Sequence, residues 1–190
     1  FYWEKLSGNL ELFLIAPASR MSILFGMAFG GIFMTTSRAL GVLFFGLLLF
    51  HIPISIPNPF LFVYAFFITL LALYGMGMMF SSVYLLWGRE AWHISNLLTE
   101  PVYLFSGFYF PVRAFGFYIA LIASIIPATL GLDAFRQILF PHPGTGFLPL
   151  WLELILLTLL AVFFFSLAYW ALLLMERLGK QTGTMTLRGQ

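Results

Sequence analysis

Long apolar runs separated by short polar segments dominate the chain. The clearest runs occupy residues 21–52, 60–86 and 150–175, and a weaker run at 94–112 carries Glu100 and Pro101. An α-helix rises about 1.5 Å per residue, so about 20 apolar residues cross the hydrocarbon core of a bilayer. The pattern therefore predicts an all-α polytopic membrane protein with four transmembrane helices. The polar segments at residues 87–95 and 132–146 are predicted to be loops.

Residues 1–20 follow a different pattern, in which apolar side chains recur at helical spacing between polar ones. Gly8 interrupts this segment, Asn9 can cap a short helix, and Pro17 marks the end of that helix. Such a helix is too short to cross a bilayer and is typical of a membrane surface. We therefore expect an amphipathic helix at the start of the chain, and a basic tail at residues 176–190.

The apolar run at residues 114–132 has two interpretations, since it can cross the bilayer or re-enter and return. The positions of Lys and Arg decide between them, because cytoplasmic loops carry an excess of these residues. A crossing segment leaves four on each side. A re-entrant segment leaves only Arg113 and Arg136 outside, with six residues inside: Lys5, Arg20, Arg89, Arg177, Lys180 and Arg188. The bias favours cytoplasmic termini and a re-entrant outer hairpin bracketed by Pro111 and Pro127.

Composition narrows the possible functions. Of the 190 residues, 62% are hydrophobic and 8% are charged, against about 25% charged residues in a soluble domain. The net charge is only +2 and the basic residues form no patch, so nucleic acid is not an expected partner. The three His residues lack ligand spacing and there is no Cys, so no metal site is predicted. No Ser lies in a Gly-x-Ser-x-Gly motif, and we expect no catalytic residues.

Two charged residues, Arg38 and Glu100, lie inside apolar runs. An ionised side chain in the hydrocarbon region is costly, so such residues are usually paired or functional. Counting residues along the two runs places both side chains about 10 Å inside the cytoplasmic edge of the hydrocarbon core. Equal depth predicts an intramembrane charge pair. The alternatives are that Arg38 reaches towards an interface and that Glu100 lies near the headgroups.

Three segments of the chain resemble the type-2 permease family of ABC exporters. They are GNLELFLIAPASRMSILFG at residues 8–26, LFSGFYFPVRAF at residues 104–115 and LDAFRQIL at residues 132–139. Their order and spacing agree with the family over nearly the whole chain. The resemblance implies an ATPase-coupling helix that includes Gly8, Asn9, Leu10, Glu11, Pro17 and Arg20. It also implies a re-entrant outer element that includes Ser106, Gly107, Phe110, Pro111 and Arg136.

Family members have six spans, with the coupling helix in the cytoplasm between the second and third. By this resemblance the chain supplies the last four spans, and the first two are expected to be missing from it. The resemblance also implies a permease subunit in the plasma (inner) membrane. Its expected partners are an ABC ATPase subunit, a second permease copy or a paralogue, and membrane lipid.

ATP-driven export requires a nucleotide site, and the sequence does not supply one. A phosphate-binding loop needs the pattern G-x-x-x-x-G-K-[ST], whereas Gly179 and Lys180 lack both the upstream Gly and the following Ser or Thr. ATP is therefore expected to bind the partner subunit, or a domain lost from this chain, while the chain itself is expected to be no enzyme and to hold no cofactor. A different class of function, a membrane-embedded enzyme or assembly factor with no ATPase partner, stays open.

Overall fold

The computed structural model describes residues 19–50, 57–140 and 146–182 of the chain. Its helices are α1 (Arg20–Phe50), α2 (Pro59–Phe105), α3 (Phe117–Ala123), α4 (Pro127–Leu139) and α5 (Leu150–Thr182), with a 3₁₀ helix at Val112–Phe115. The amphipathic helix predicted near the N-terminus and residues 183–190 of the basic tail lie outside the described residues.

Three helices of the described chain are long and apolar enough to cross a membrane. They are Met21–Phe50, Pro59–Ser81 and Leu150–Leu174, and α3 with α4 makes a fourth if this bent pair counts as one span. Asn58 starts α2, because its side chain accepts a hydrogen bond from the Leu61 N–H at 3.2 Å and Pro59 fixes the first turn. The prediction of an all-α polytopic membrane protein is confirmed.

The prediction of a loop at residues 87–95 is wrong, because residues 59–105 are all helical, although the axis of α2 reverses direction along this stretch. This segment is polar, but it contains no proline, and Gly88 is its weakest helix former. Polarity alone does not end a helix. The predicted span at 94–112 is helical only to Phe105, since Gly107 adopts a left-handed φ of 78° that an α-helix cannot contain.

The axis of α2 cannot be straight. Thr69 packs against Gly131 of α4, and the Phe105 carbonyl accepts a hydrogen bond from Thr129 Oγ1 of the same helix at 3.3 Å. The 36 residues between Thr69 and Phe105 would cover about 54 Å in a straight helix, whereas their partners on α4 are about 3 Å apart along its axis. The helix therefore turns back between these two contacts.

Small side chains bring α2, α4 and α5 together in the main core. Its buried members are Ala65, Ala72, Leu130, Ala134, Ile138, Leu154, Leu157 and Ala161. At Gly75 of α2, an added Cβ would lie 3.2 Å from Phe164 Cβ and 3.3 Å from the Phe165 backbone nitrogen of α5. Small residues permit such close approach between membrane helices, where packing drives association.

The first half of α1 joins this core through a second cluster. Leu24 and Ala28 pack with Met78 of α2 and with Ala168 and Leu172 of α5. Further along α1, beyond this cluster, the hydroxyl groups of Thr35 and Tyr74 lie 2.8 Å apart. Past this point the side chains of α1 are mostly exposed in the described chain.

The segment predicted to be a loop from residue 132 is also helical as far as Leu139. Leu130, Ala134 and Ile138 recur every four residues and are all buried, so this stretch is the apolar face of α4 rather than a loop. Pro127 is at the start of the helix, where proline is well tolerated. The axes of α3 and α4 meet at 112°.

Candidate functional site

Two of the three segments that carry the family resemblance meet in the structure. The Arg136 guanidinium of α4 donates a hydrogen bond to the carbonyl of Gly107, which follows the end of α2. Thr129 of α4 donates to the Phe105 carbonyl, as described above. The last carbonyl groups of a helix have no partner within the helix and carry partial negative charge. One face of α4 therefore caps the C-terminal end of α2.

Gly107 suits this junction for two reasons. Its φ of 78° is in the left-handed region, where glycine has no steric penalty. A Cβ at this position would lie 2.6 Å from Val112 Cγ2, and Val112 is itself buried. The bond from Arg136 thus reaches a carbonyl that only glycine can present in this way.

The other residues predicted for the outer element lie around this contact without joining it. Ser106 is buried and its hydroxyl donates to the Tyr103 carbonyl at 3.0 Å. Phe110 is exposed, and Pro111 precedes the 3₁₀ helix. The structure therefore brings together Gly107 and Arg136, with Ser106 adjacent.

The sequence analysis missed a cluster of three polar side chains where α4 meets the start of α5. Asp133 Oδ2 accepts a hydrogen bond from the Phe147 N–H at 2.6 Å, and Glu153 Oε1 accepts one from the Leu148 N–H at 3.2 Å. The Gln137 amide donates to the Leu148 carbonyl at 3.0 Å. The backbone at residues 147 and 148 is therefore held by side chains of both helices.

A signal for this cluster was present in the sequence. Glu153 is an acidic residue inside the apolar run at 150–175, just as Arg38 and Glu100 are in theirs. It lies in the first turn of α5, where an acidic side chain can reach back to a backbone N–H that precedes the helix. Asp133 and Gln137 carry no such signal, because they lie in a polar segment whose sequence predicts a loop.

The predicted charge pair is not formed between the described residues. Arg38 and Glu100 both have exposed side chains, and no ion pair joins them. Successive residues of an α-helix are rotated by about 100° around its axis. Arg38 therefore lies on the face of α1 opposite Thr36 and Ala39, which line the apolar cavity described in the next paragraph. Equal depth in the bilayer was therefore not enough to predict a contact.

An apolar cavity of about 480 Å³ opens between α1, α2 and α4. Thr36 is the only polar side chain among the residues that line it, which include Leu40, Leu43, Phe62, Phe66, Phe135 and Leu139. A cavity with this lining suits an apolar ligand or lipid chain and offers no group to bind an ion. Within the described residues, no three His, Cys, Asp or Glu side chains gather at a possible metal site.

The residues predicted for ATPase coupling are not tested by the structure. Gly8, Asn9, Leu10, Glu11 and Pro17 lie outside the described residues, and only the backbone of Arg20 is described.

Comparison with known proteins gives an independent result: the family model described as ABC-2 type transporter matches residues 1–140. No curated protein and no solved structure matches the chain significantly.

Proposed function

Because the chain belongs to the ABC-2 type transporter family, we propose that it is the permease subunit of an ATP-driven exporter and forms part of the substrate path. The match of the family model over residues 1–140 is the observation that carries this proposal. Three apolar helices long enough to cross a bilayer support it. The apolar cavity between α1, α2 and α4 supports a transported molecule with an apolar surface.

The energy for export comes from a separate ATPase subunit in this proposal. The 190 residues contain no phosphate-binding loop, which supports a nucleotide site outside them. A second permease copy or a paralogue completes the membrane part. Purification of the chain from its native membrane should therefore recover an ATP-binding subunit. Purification of a stable, active chain without one would favour a membrane enzyme or assembly factor instead.

The proposed orientation has cytoplasmic termini, with residues 106–149 on the outer side. Because α2 turns back between Thr69 and Phe105, its two halves count as two crossings in this proposal. The distribution of Lys and Arg supports it, as does the sharp bend between α3 and α4. Helix α3 has 7 residues and α4 has 13, so neither reaches across a hydrocarbon core of about 30 Å alone. This pair is proposed to dip into the outer leaflet, with the backbone of α4 shielded by α2 and α5.

Labelling of single Cys residues tests this orientation, since the chain contains no native Cys. In the Pro143→Cys variant, an impermeant thiol reagent is expected to react from the outer side only. Arg89→Cys is the matched control and is expected to react from the cytoplasmic side only. Labelling of position 143 from the cytoplasmic side alone would contradict the orientation.

The N-terminal segment is proposed to couple ATPase motion to α1, because Pro17 joins the two directly. Leu10→Asp should detach the amphipathic helix from the membrane domain, since it introduces a charge on the apolar face. Glu11→Lys should reverse the charge presented to the ATPase. Both variants are expected to lose most substrate-stimulated ATPase activity and transport, while the ATPase subunit still binds nucleotide.

The control for these variants is Leu187→Asp, which makes the same chemical change in the C-terminal tail. It is expected to leave coupling intact. ATPase stimulation and transport are measured on the purified complex in lipid vesicles. Unchanged activity of both Leu10→Asp and Glu11→Lys would reduce the segment to a membrane anchor and remove the proposed coupling role.

A further inference from the structure

Asp133 and Glu153 are the most deeply buried ionisable side chains of the described chain, with exposed fractions of 1% and 0%. One oxygen of each carboxyl group is fixed by a backbone N–H, from Phe147 and Leu148 respectively. Phe147 and Leu148 are consecutive residues, so their N–H groups hold the two carboxyl groups next to each other. The two side chains also interact with each other.

Among the described residues, the second oxygens of the two carboxyl groups have no donor. Asp133 Oδ1 and Glu153 Oε2 are buried, and no group in the described part of the chain donates a hydrogen bond to them. The bonds on the first oxygens come from backbone N–H groups, with the Gln137 amide also within reach of Glu153. Two ionised carboxylates that face each other in a buried site repel strongly, whereas one proton converts the contact into an O–H···O bond.

We propose that Asp133 and Glu153 bind a single proton between them and that this proton fastens α4 to the start of α5. Only one of the two groups then carries a charge, and every buried carboxyl oxygen gains a partner. A metal ion does not fit this pair, because the described residues bring no third His, Cys, Asp or Glu ligand to it. The proposed site goes beyond the transport function and does not depend on it.

Amide substitutions test the number of protons, because an amide brings its own donor. In Asp133→Asn or Glu153→Gln, the amide oxygen can keep the backbone hydrogen bond while the NH₂ group donates to the remaining carboxylate. Each single variant is expected to keep its thermal midpoint within about 2 °C of the unmodified protein. In the double variant two NH₂ groups face each other without an acceptor, so the midpoint should fall by about 5 °C.

Infrared spectroscopy of the full chain in lipid nanodiscs detects the proton directly. The unmodified protein is expected to show the C=O stretch of a protonated carboxyl group, and both single variants should lack that band. Glu100→Gln, which changes an exposed carboxyl group, is the control and should leave the band in place. The proposal fails if the band is unchanged in the single variants, or if the double variant is no less stable than either of them.

Discussion

Gly131→Leu should separate α4 from α2 and lower the free energy of unfolding by about 3 kcal/mol. Even a Cβ at this position would lie 2.3 Å from Thr69 Cγ2 and 2.6 Å from Thr69 Oγ1. Both residues are buried in a core where backbones meet closely, so the larger side chain has no room. Denaturant unfolding in detergent measures the loss.

Gly41→Leu is the matched control, because Gly41 lies in α1 with no atom near its added Cβ. It should be neutral or slightly stabilising, since leucine is a better helix former than glycine. The smaller change Gly131→Ala should be rescued in part by Thr69→Ala, which removes the two atoms in closest contact. If Gly131→Leu is tolerated as well as Gly41→Leu, α4 does not pack on α2 as described.

Arg136→Met should lower the free energy of unfolding by about 2 kcal/mol, the value of a hydrogen bond from a charged donor. Methionine keeps much of the apolar stem, but the Gly107 carbonyl loses its donor. The junction between the end of α2 and α4 should loosen. Hydrogen exchange at residues 102–107 is expected to accelerate more than exchange elsewhere in α2.

Arg177→Met serves as the control because Arg177 is exposed on α5. The same substitution there should change stability by less than about 0.5 kcal/mol. Arg136→Lys should fall between these results, since lysine keeps the charge but lacks the planar fork of donors. Equal stability of the Arg136→Met and Arg177→Met variants would show that the cap on α2 contributes nothing.

The apolar spans could be predicted because lipid imposes one simple demand. Each crossing helix must be apolar over about 20 residues. This requirement is visible directly in the sequence as the apolar runs at 21–52, 60–86 and 150–175. The polar segments carried no comparable signal. Residues 87–95 continue α2 and residues 132–139 belong to a buried amphipathic helix, because neither contains a residue that stops helix formation.

Contacts between the site residues could not be predicted without the three-dimensional structure. Arg136 and Gly107 were both selected from the sequence, but they are 29 residues apart and nothing local indicated that they touch. Arg38 and Glu100 were matched by depth alone, without the rotation of their helices, and the structure does not bring them together. Glu153 was missed although it has the same pattern, an acidic residue within an apolar run.

The helices of the described chain differ in how tightly they are packed: α2, α4 and α5 form one core, whereas only the first half of α1 packs against it. Helices α2, α4 and α5 pack closely against one another. If one of them slid along its axis, it would lose its packing against the other two. By contrast, α1 is fastened over its first half, up to the hydroxyl contact between Thr35 and Tyr74. Its remaining 15 residues, about 22 Å of helix, have mostly exposed side chains, and Thr36, Ala39, Leu40 and Leu43 among them line one side of the apolar cavity. A change in the angle of this half of α1 would therefore change the width of the cavity while breaking few of the described contacts.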